Sequence, residues 1–369
     1  MNTTDLTNFL EWASQYTEKN LFGRYITFKD IEPLLKKLAH QFDVKKIGHS
    51  YRGLPIYKIT IGNGATKILI WSQMHGNEST GTKAVFDFFK WIGSTSDNSS
   101  SVHQILNECT LVFIPMLNPD GAEVYTRVNA QEIDLNRDAV DLIAPESKLL
   151  QLVLKEVNPK FCFNLHDQRT IFSIDKKPAS ISFLAPSEEE SRNVTRGREI
   201  TMAVINHMFE TLNPLIPGQI GRYTDEFYPT ATGDNFQKEG HHTILIEAGH
   251  FKDDYDREVV RKLNFIALLS GITYIANTSE FNDFKTYFTI PNNEKKYLDL
   301  IYKNIILSEE NKMIDVGVVY KEVLVDQKII FTPEIKYITD LSAYNADQII
   351  DKKGELFKNK EALLRLFDK

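Results

Sequence analysis

Apolar positions along this chain fall into two alternating rhythms. In "IEPLLKKLAHQF", within the first 40 or so residues, they recur at helical spacing. "LPIYKITIG" then alternates as a strand, "NG" turns the chain, and "KILIWSQM" reads as a second strand of a hairpin or neighbouring pair. "STGTKAVFDFFKWIG" opens on hydroxyl-bearing caps, keeps one apolar helical face and stops at Gly93. The serine-rich "STSDNSSS" predicts an exposed loop, and "CTLVFIPML" a central strand covered on both faces. After a loop over 118–139, "SKLLQLVLKEV" and "REITMAVINHMFETL" predict helices, and "KFCFNLH" and "HTILIEAG" buried strands. "DREVVRKLNFIALLSGITYIAN" predicts a closing helix. Strand and helix in alternation imply an α/β body with a mostly parallel sheet, whose ligands collect beyond the carboxyl ends of the strands. His75, Asn118, His166 and Glu247 are placed at those ends.

From about residue 282 the texture changes to short β-like runs, "MIDVGVVYKEVLV" and "QKIIFTPEI". The expected organisation is a helical extension over 1–44, a catalytic α/β domain over 45–282 and a small β-rich region over 283–369.

Composition narrows the class. At 369 residues with a formal charge of −7, the chain reads as a globular protein, with no reason to expect nucleic acid as a partner. The first residues lack a basic stretch followed by an apolar one, and no run of about 18 apolar residues occurs, so neither a cleavable signal nor a membrane partner is expected. Cytoplasmic location is the expectation. Cys109 and Cys162, the two cysteines, lie in apolar strand-like runs and read as buried free thiols.

The candidate chemistry lies in "MHGNEST" and "NLHD". If the strand turns just after His75, then His75 and Glu78 can face one ion, and His166 can join from a neighbouring strand end. Two imidazoles and a carboxylate leave zinc an open position for water.

"HGNESTG", "IPMLNPDG", "DLNRD", "NLHD" and "ILIEAG", in this order, resemble the zinc metallocarboxypeptidases, the M14 peptidases related to carboxypeptidase A, over roughly residues 45–275. The resemblance implies a three-layer α/β/α fold, one zinc per chain held by His75, Glu78 and His166, and Glu247 as the general base that passes its proton to the leaving amine. It implies that Asn136 and Arg137 hold a substrate's terminal carboxylate and that Arg127 stabilises the oxyanion. Tyr228 matches the mobile tyrosine that closes over substrate, with Tyr223 as a competitor. Asp134 reads as orienting a loop, and Asn118 and Asp120 as building a turn.

Three positions qualify the match. Asn77 precedes Glu78 where digestive members carry arginine, and Asp167 follows His166 where they have a small hydroxyl residue. Asp167 could accept a proton from a ring nitrogen instead. Asp234 could select a basic side chain or simply cap a turn or helix. Glu247 could alternatively be a buried charge neutralised by an arginine. His241 and His242, adjacent, are weak ligand candidates. The substrate expected is a peptide or N-acyl amino acid with a free C-terminal carboxylate. The alternatives are an N-acyl amino acid deacylase of the aspartoacylase or desuccinylase type and a non-catalytic module that binds peptide tails. A pro-region is not expected, residues 1–44 being too short for one.

Overall fold

The computed structural model describes residues 3–94 and 99–367. Its body is an eight-stranded mixed sheet with helices on both faces. In chain order the strands are β1 (Asp43–His49), β2 (Pro55–Ile61), β3 (Thr66–Ser72), β4 (Cys109–Ile114), β5 (Phe161–Asp167), β6 (Ser173–Ile174), β7 (Lys177–Pro178), β8 (Ile181–Leu184), β9 (Ile220–Arg222) and β10 (His242–Ala248). Strand order in the sheet is β1-β2-β4-β3-β5-β10-β8-β9, with β6 and β7 forming a separate two-residue ladder. The central four strands, β4, β3, β5 and β10, are mutually parallel. They are also the most apolar runs of the body, as a strand covered on both faces must be.

The helices are α1 (Thr3–Gln15), α2 (Phe28–Leu38), α3 (Thr80–Ile92), α4 (Ser99–Glu108), α5 (Pro119–Glu123), α6 (Pro145–Val157), α7 (Arg196–Leu212), α8 (Thr232–Lys238) and α9 (Glu258–Asn277). The α9 helix is apolar on most of its circumference because it is covered all round, packing on α3, α7, α1 and α4. Its Arg261, itself buried, grips the N-terminal segment. The guanidinium pairs with Asp87 at 2.6 Å and donates to the Leu21 carbonyl at 2.6 Å and the Glu18 carbonyl at 2.8 Å.

Two local expectations are corrected. β2 and β3 are not partners, because β4 enters between them; the hairpin is formed by β1 and β2, one strand earlier. A turn signal between two strands fixes a reversal, not which edge the second strand joins. Of the serine tract, residues 95–98 lie outside the described residues, while Ser99–Ser101 form the first turn of α4. Serine at a helix start is an N-terminal preference, which composition alone reads as a loop.

Both cysteines are free and buried, and burial pushes the Cys109 thiol up to about 12. Beyond α9 the chain builds a second sheet from β11 (Tyr297–Leu307), β12 (Lys312–Val325), β13 (Lys328–Thr339), β14 (Asn345–Asp351) and β15 (Leu356–Phe357), ordered β13-β12-β11-β14 with β15 also on β11. It carries its own apolar centre, including Tyr302, Ile305, Val316 and Leu363. The connecting segment bridges to the body through Ser173 with Glu294 and Arg222 with Asn292. Buried polar contacts fasten the two sheets, among them His250 Nε2 to Asp347 Oδ2 at 2.9 Å.

Candidate metal centre

β3 ends at Ser72, and the next residue, Gln73, has φ of 49°, which turns the chain sharply away from the sheet. Its side-chain amide donates to the carbonyls of Ile26 and Gly76, each at 2.9 Å, and fixes that turn. Gly76 must be glycine, since a Cβ there would lie 2.0 Å from the backbone carbon of Gly121 in the "NPDG" turn. Asn118 caps α5 in that turn, and Asp120 accepts from Ser50 Oγ and the Arg52 amide. His75 and Glu78 are thereby delivered to the carboxyl end of β5, where His166 stands.

The three side chains converge, with ligand atoms all within 4.8 Å of one another. His75 Nδ1 lies 2.9 Å from Glu78 Oε1, His166 Nδ1 lies 2.8 Å from Glu78 Oε2, and the two Nδ1 atoms are 3.1 Å apart. Asp134 Oδ1 is 3.0 Å from His75 Nε2. With that nitrogen donating to Asp134, His75 Nδ1 keeps its lone pair and turns it toward the carboxylate and the second imidazole. Two ring nitrogens and a carboxylate buried this close together need either shared protons or a cation between them, and two nitrogens with one carboxylate are a donor set that zinc favours. Burial alone would raise the Glu78 pKa, but His75 and His166 hold it well below the usual carboxylate range.

Glu247 faces the same centre. Its register across the sheet is one row: His166 on β5, Glu247 on β10, Ser182 on β8 and Gly221 on β9. Among the described residues its carboxylate forms no ion pair, contrary to the arginine-neutralised alternative. Burial, with Glu78 and Asp167 nearby, raises its pKa well above the ordinary value, against the opposing pull of Arg127 and Arg257.

Arg127 reaches in from the loop after α5. Its Nε donates to Asp134 Oδ2 at 3.0 Å, and its Nη1 lies 3.2 Å from His75 Nδ1 and 3.4 Å from Glu78 Oε1. Asp134 also accepts from the Asn136 amide at 2.9 Å, so one carboxylate links the histidine, Arg127 and the following turn. Asn136 Oδ1 accepts from the Thr232 amide at 3.2 Å. Arg137 lies exposed over the Tyr228 ring, 5.1 Å from its centroid, and Tyr228 donates to Glu226 Oε2 at 3.1 Å.

Other expectations fare differently. Asp167 takes no ring proton: it accepts from Thr80 Oγ1 at 2.7 Å and pairs with Arg257 at 3.3 Å, because its side chain points to the opposite face from His166. Asp234 accepts from the Tyr228 amide at 3.1 Å in the first turn of α8, the capping alternative, and burial lifts its pKa to about 6. His242 opens β10 and His241 directly precedes it, at the end of the strand opposite Glu247. Two contributors were undervalued in the sequence. Asp134 touches a candidate ligand, which its place in "DLNRD" alone does not reveal. Tyr223, two residues past Gly221 in the row containing Glu247, faces the same side of the sheet, its ring 5.1 Å from that of Phe172. Burial, then Glu247 and Glu78, raise its pKa.

Comparison with known proteins bears on the whole arrangement. A sequence profile described as zinc carboxypeptidase matches residues 31–148. Carboxypeptidase SOL1 of Arabidopsis thaliana is 24% identical over 217 residues, which cover 49% of this chain and 44% of that protein. The chain therefore spans under half the length of that curated relative. A metallo-carboxypeptidase structure from Burkholderia cenocepacia superposes with a TM-score of 0.54 at 17% identity, covering 69% of this chain and 70% of its own. The carboxypeptidase A of Helicoverpa armigera gives 0.54 at 14% identity, covering 75% and 81%. At such identities the structural likeness speaks for the fold: a mixed sheet with helices on both sides.

Proposed function

We propose that the chain is a member of the zinc carboxypeptidase family, whose profile matches residues 31–148, and that it hydrolyses the C-terminal amide bond of a peptide with one zinc bound by His75, Glu78 and His166. The observation that carries this reading is the convergence of those three donors beside Glu247 in the same row of the sheet. A zinc ion held there supplies a Lewis acid and lowers the pKa of a water molecule toward neutrality.

The chain's own residues then have distinct tasks. Glu247, as the carboxylate, takes a proton from the attacking water and delivers it to the departing amine nitrogen; burial beside Glu78 and Asp167 raises its affinity for that proton. Arg127 offers N–H donors to the oxygen on which negative charge develops. Arg137, with Asn136, takes the terminal carboxylate, and its planar fork can bind both oxygens. Tyr228, stacked on Arg137, is placed to shift when that carboxylate arrives. Asp134 keeps His75 in the tautomer that binds metal and anchors Arg127. The relatives named as carboxypeptidases support a peptide substrate over an N-acyl amino acid.

The test combines elemental analysis with hydrolysis of N-blocked dipeptides, free or amidated at the C-terminus, and of N-acyl amino acids, by the wild type and Glu247→Gln. One zinc per chain, cleavage of the free-carboxylate substrates alone, and loss of turnover with zinc retained are expected. Turnover of N-acyl amino acids alone, or zinc without any turnover, would overturn the reading.

A further inference from the structure

Glu322 belongs to β12 of the second sheet, yet its carboxylate is spent on the body. Glu322 Oε1 pairs with Arg24 Nη2 at 2.9 Å, and Oε2 accepts from the hydroxyl of Tyr125. Both partners are buried and both lead to the metal centre. The carbonyl of Arg24 accepts from Ser79 Oγ at 2.7 Å, and Ser79 directly follows Glu78. Tyr125 stands two residues before Arg127, with φ of 55°, a conformation that an L-residue holds only when its surroundings impose it. The Tyr125 ring also meets Tyr25 edge-on, 6.4 Å between centroids.

Resting on the carboxypeptidase reading, we propose that Glu322 is a positioning residue. Through Tyr125 it sets the backbone from which Arg127 reaches Asp134 and the cluster of His75 and Glu78, with buried Arg24 holding its other oxygen. The second sheet is then a working part of the active centre. Removing the anchor leaves the zinc donors and the Arg137 region untouched, so binding of zinc and of the substrate carboxylate persists. What is lost is the fixed placement of Arg127, which matters chiefly where charge develops during the reaction.

The test uses the full chain with Tyr125→Phe, Glu322→Gln, both together, and Asp347→Asn. The last removes a buried body-to-sheet contact that does not involve the Arg127 loop. Kinetics on a free-carboxylate dipeptide are read with zinc content, Tm and hydrogen exchange of residues 121–134. Tyr125→Phe and Glu322→Gln should each lower kcat by about tenfold or more with KM nearly constant, since small misplacements of a reacting group cost this much. The double variant should lose little further, and exchange in 121–134 should quicken while zinc content holds. Asp347→Asn should lower Tm without changing kcat or that exchange. Unchanged kcat and unchanged exchange in both Tyr125→Phe and Glu322→Gln, whatever their Tm, would reduce Glu322 to a structural clamp and overturn the proposal. If the wild type turns over no peptide, the activity reading fails by itself, and the exchange of 121–134 still decides whether Glu322 orders that loop.

Discussion

Glu247 and His166 are direct partners across the parallel pair of β10 and β5. Side chains at paired positions lean to the same face, so the sheet itself sets the carboxylate beside the imidazole and no loop has to find that geometry. Glu247→Gln keeps the shape and removes the proton acceptor. It should lower kcat by about 10²–10⁴-fold while zinc content stays at the wild-type level, measured by steady-state hydrolysis and elemental analysis. Equal turnover by the variant would require another base.

Asp134 bonds the outer ring nitrogen of His75 and the Arg127 guanidinium together. Asp134→Asn should weaken zinc binding by about 10–100-fold in competition with a chelator, because the amide can no longer hold His75 in the required tautomer as strongly. An unchanged affinity would restrict Asp134 to the loop-orienting part read from the sequence.

Arg137 carries a different load. Arg137→Ala should raise KM for free-carboxylate dipeptides by about 10–100-fold, the range of a lost charge-assisted hydrogen bond, while scarcely altering zinc content. An equal effect on amidated substrates would show that Arg137 does not read the carboxylate.

Gly76 allows the "HGNE" turn to lie against the "NPDG" turn. Gly76→Ala forces a carbon into the Gly121 backbone, so unfolding in urea should show a loss on the order of 3 kcal/mol. A loss under 1 kcal/mol, with zinc binding intact, would mean that the two turns can separate freely, about the limit for a well-tolerated swap.

His242 provides a pH dependence remote from the candidate metal centre. Burial, and next the charge of Lys160, depress its pKa to about 4, and its Nδ1 has no hydrogen-bond partner. The folded state therefore prefers the neutral ring. Its contribution is present above the unfolded value of about 6.5 and is lost as pH falls through 4. Because the ring is only partly buried, the effect should be about 1–2 kcal/mol. In thermal melts between pH 7 and 4, wild type should lose stability relative to His242→Phe on acidification. Parallel curves would remove His242 from the acid response.

Much of this was legible in the sequence because the relevant signals are local. Apolar runs announced the central strands, and "HGNE" and "NLHD" at their ends announced donors in reach of one ion. What stayed hidden depends on pairing between distant segments. β4 inserts between β2 and β3 for reasons that no window around residue 63 contains. Asp134 acquires its role only when the loop after α5 folds back on His75, and Asp167 loses its expected one because alternation along β5 sends it to the other face. The long strand β11, unmarked in the sequence reading, pairs with β12, β14 and β15, and its pattern becomes intelligible only when both of its faces are covered.

The grip of Arg261 on Glu18 and Leu21 sets a timetable for synthesis. Glu18 and Leu21 have their guanidinium partner about 240 residues later, so these contacts close only after α9 has been made. A chain interrupted before α9 would keep His75, Glu78, His166 and Glu247 and lack the bolt that closes the structure around them.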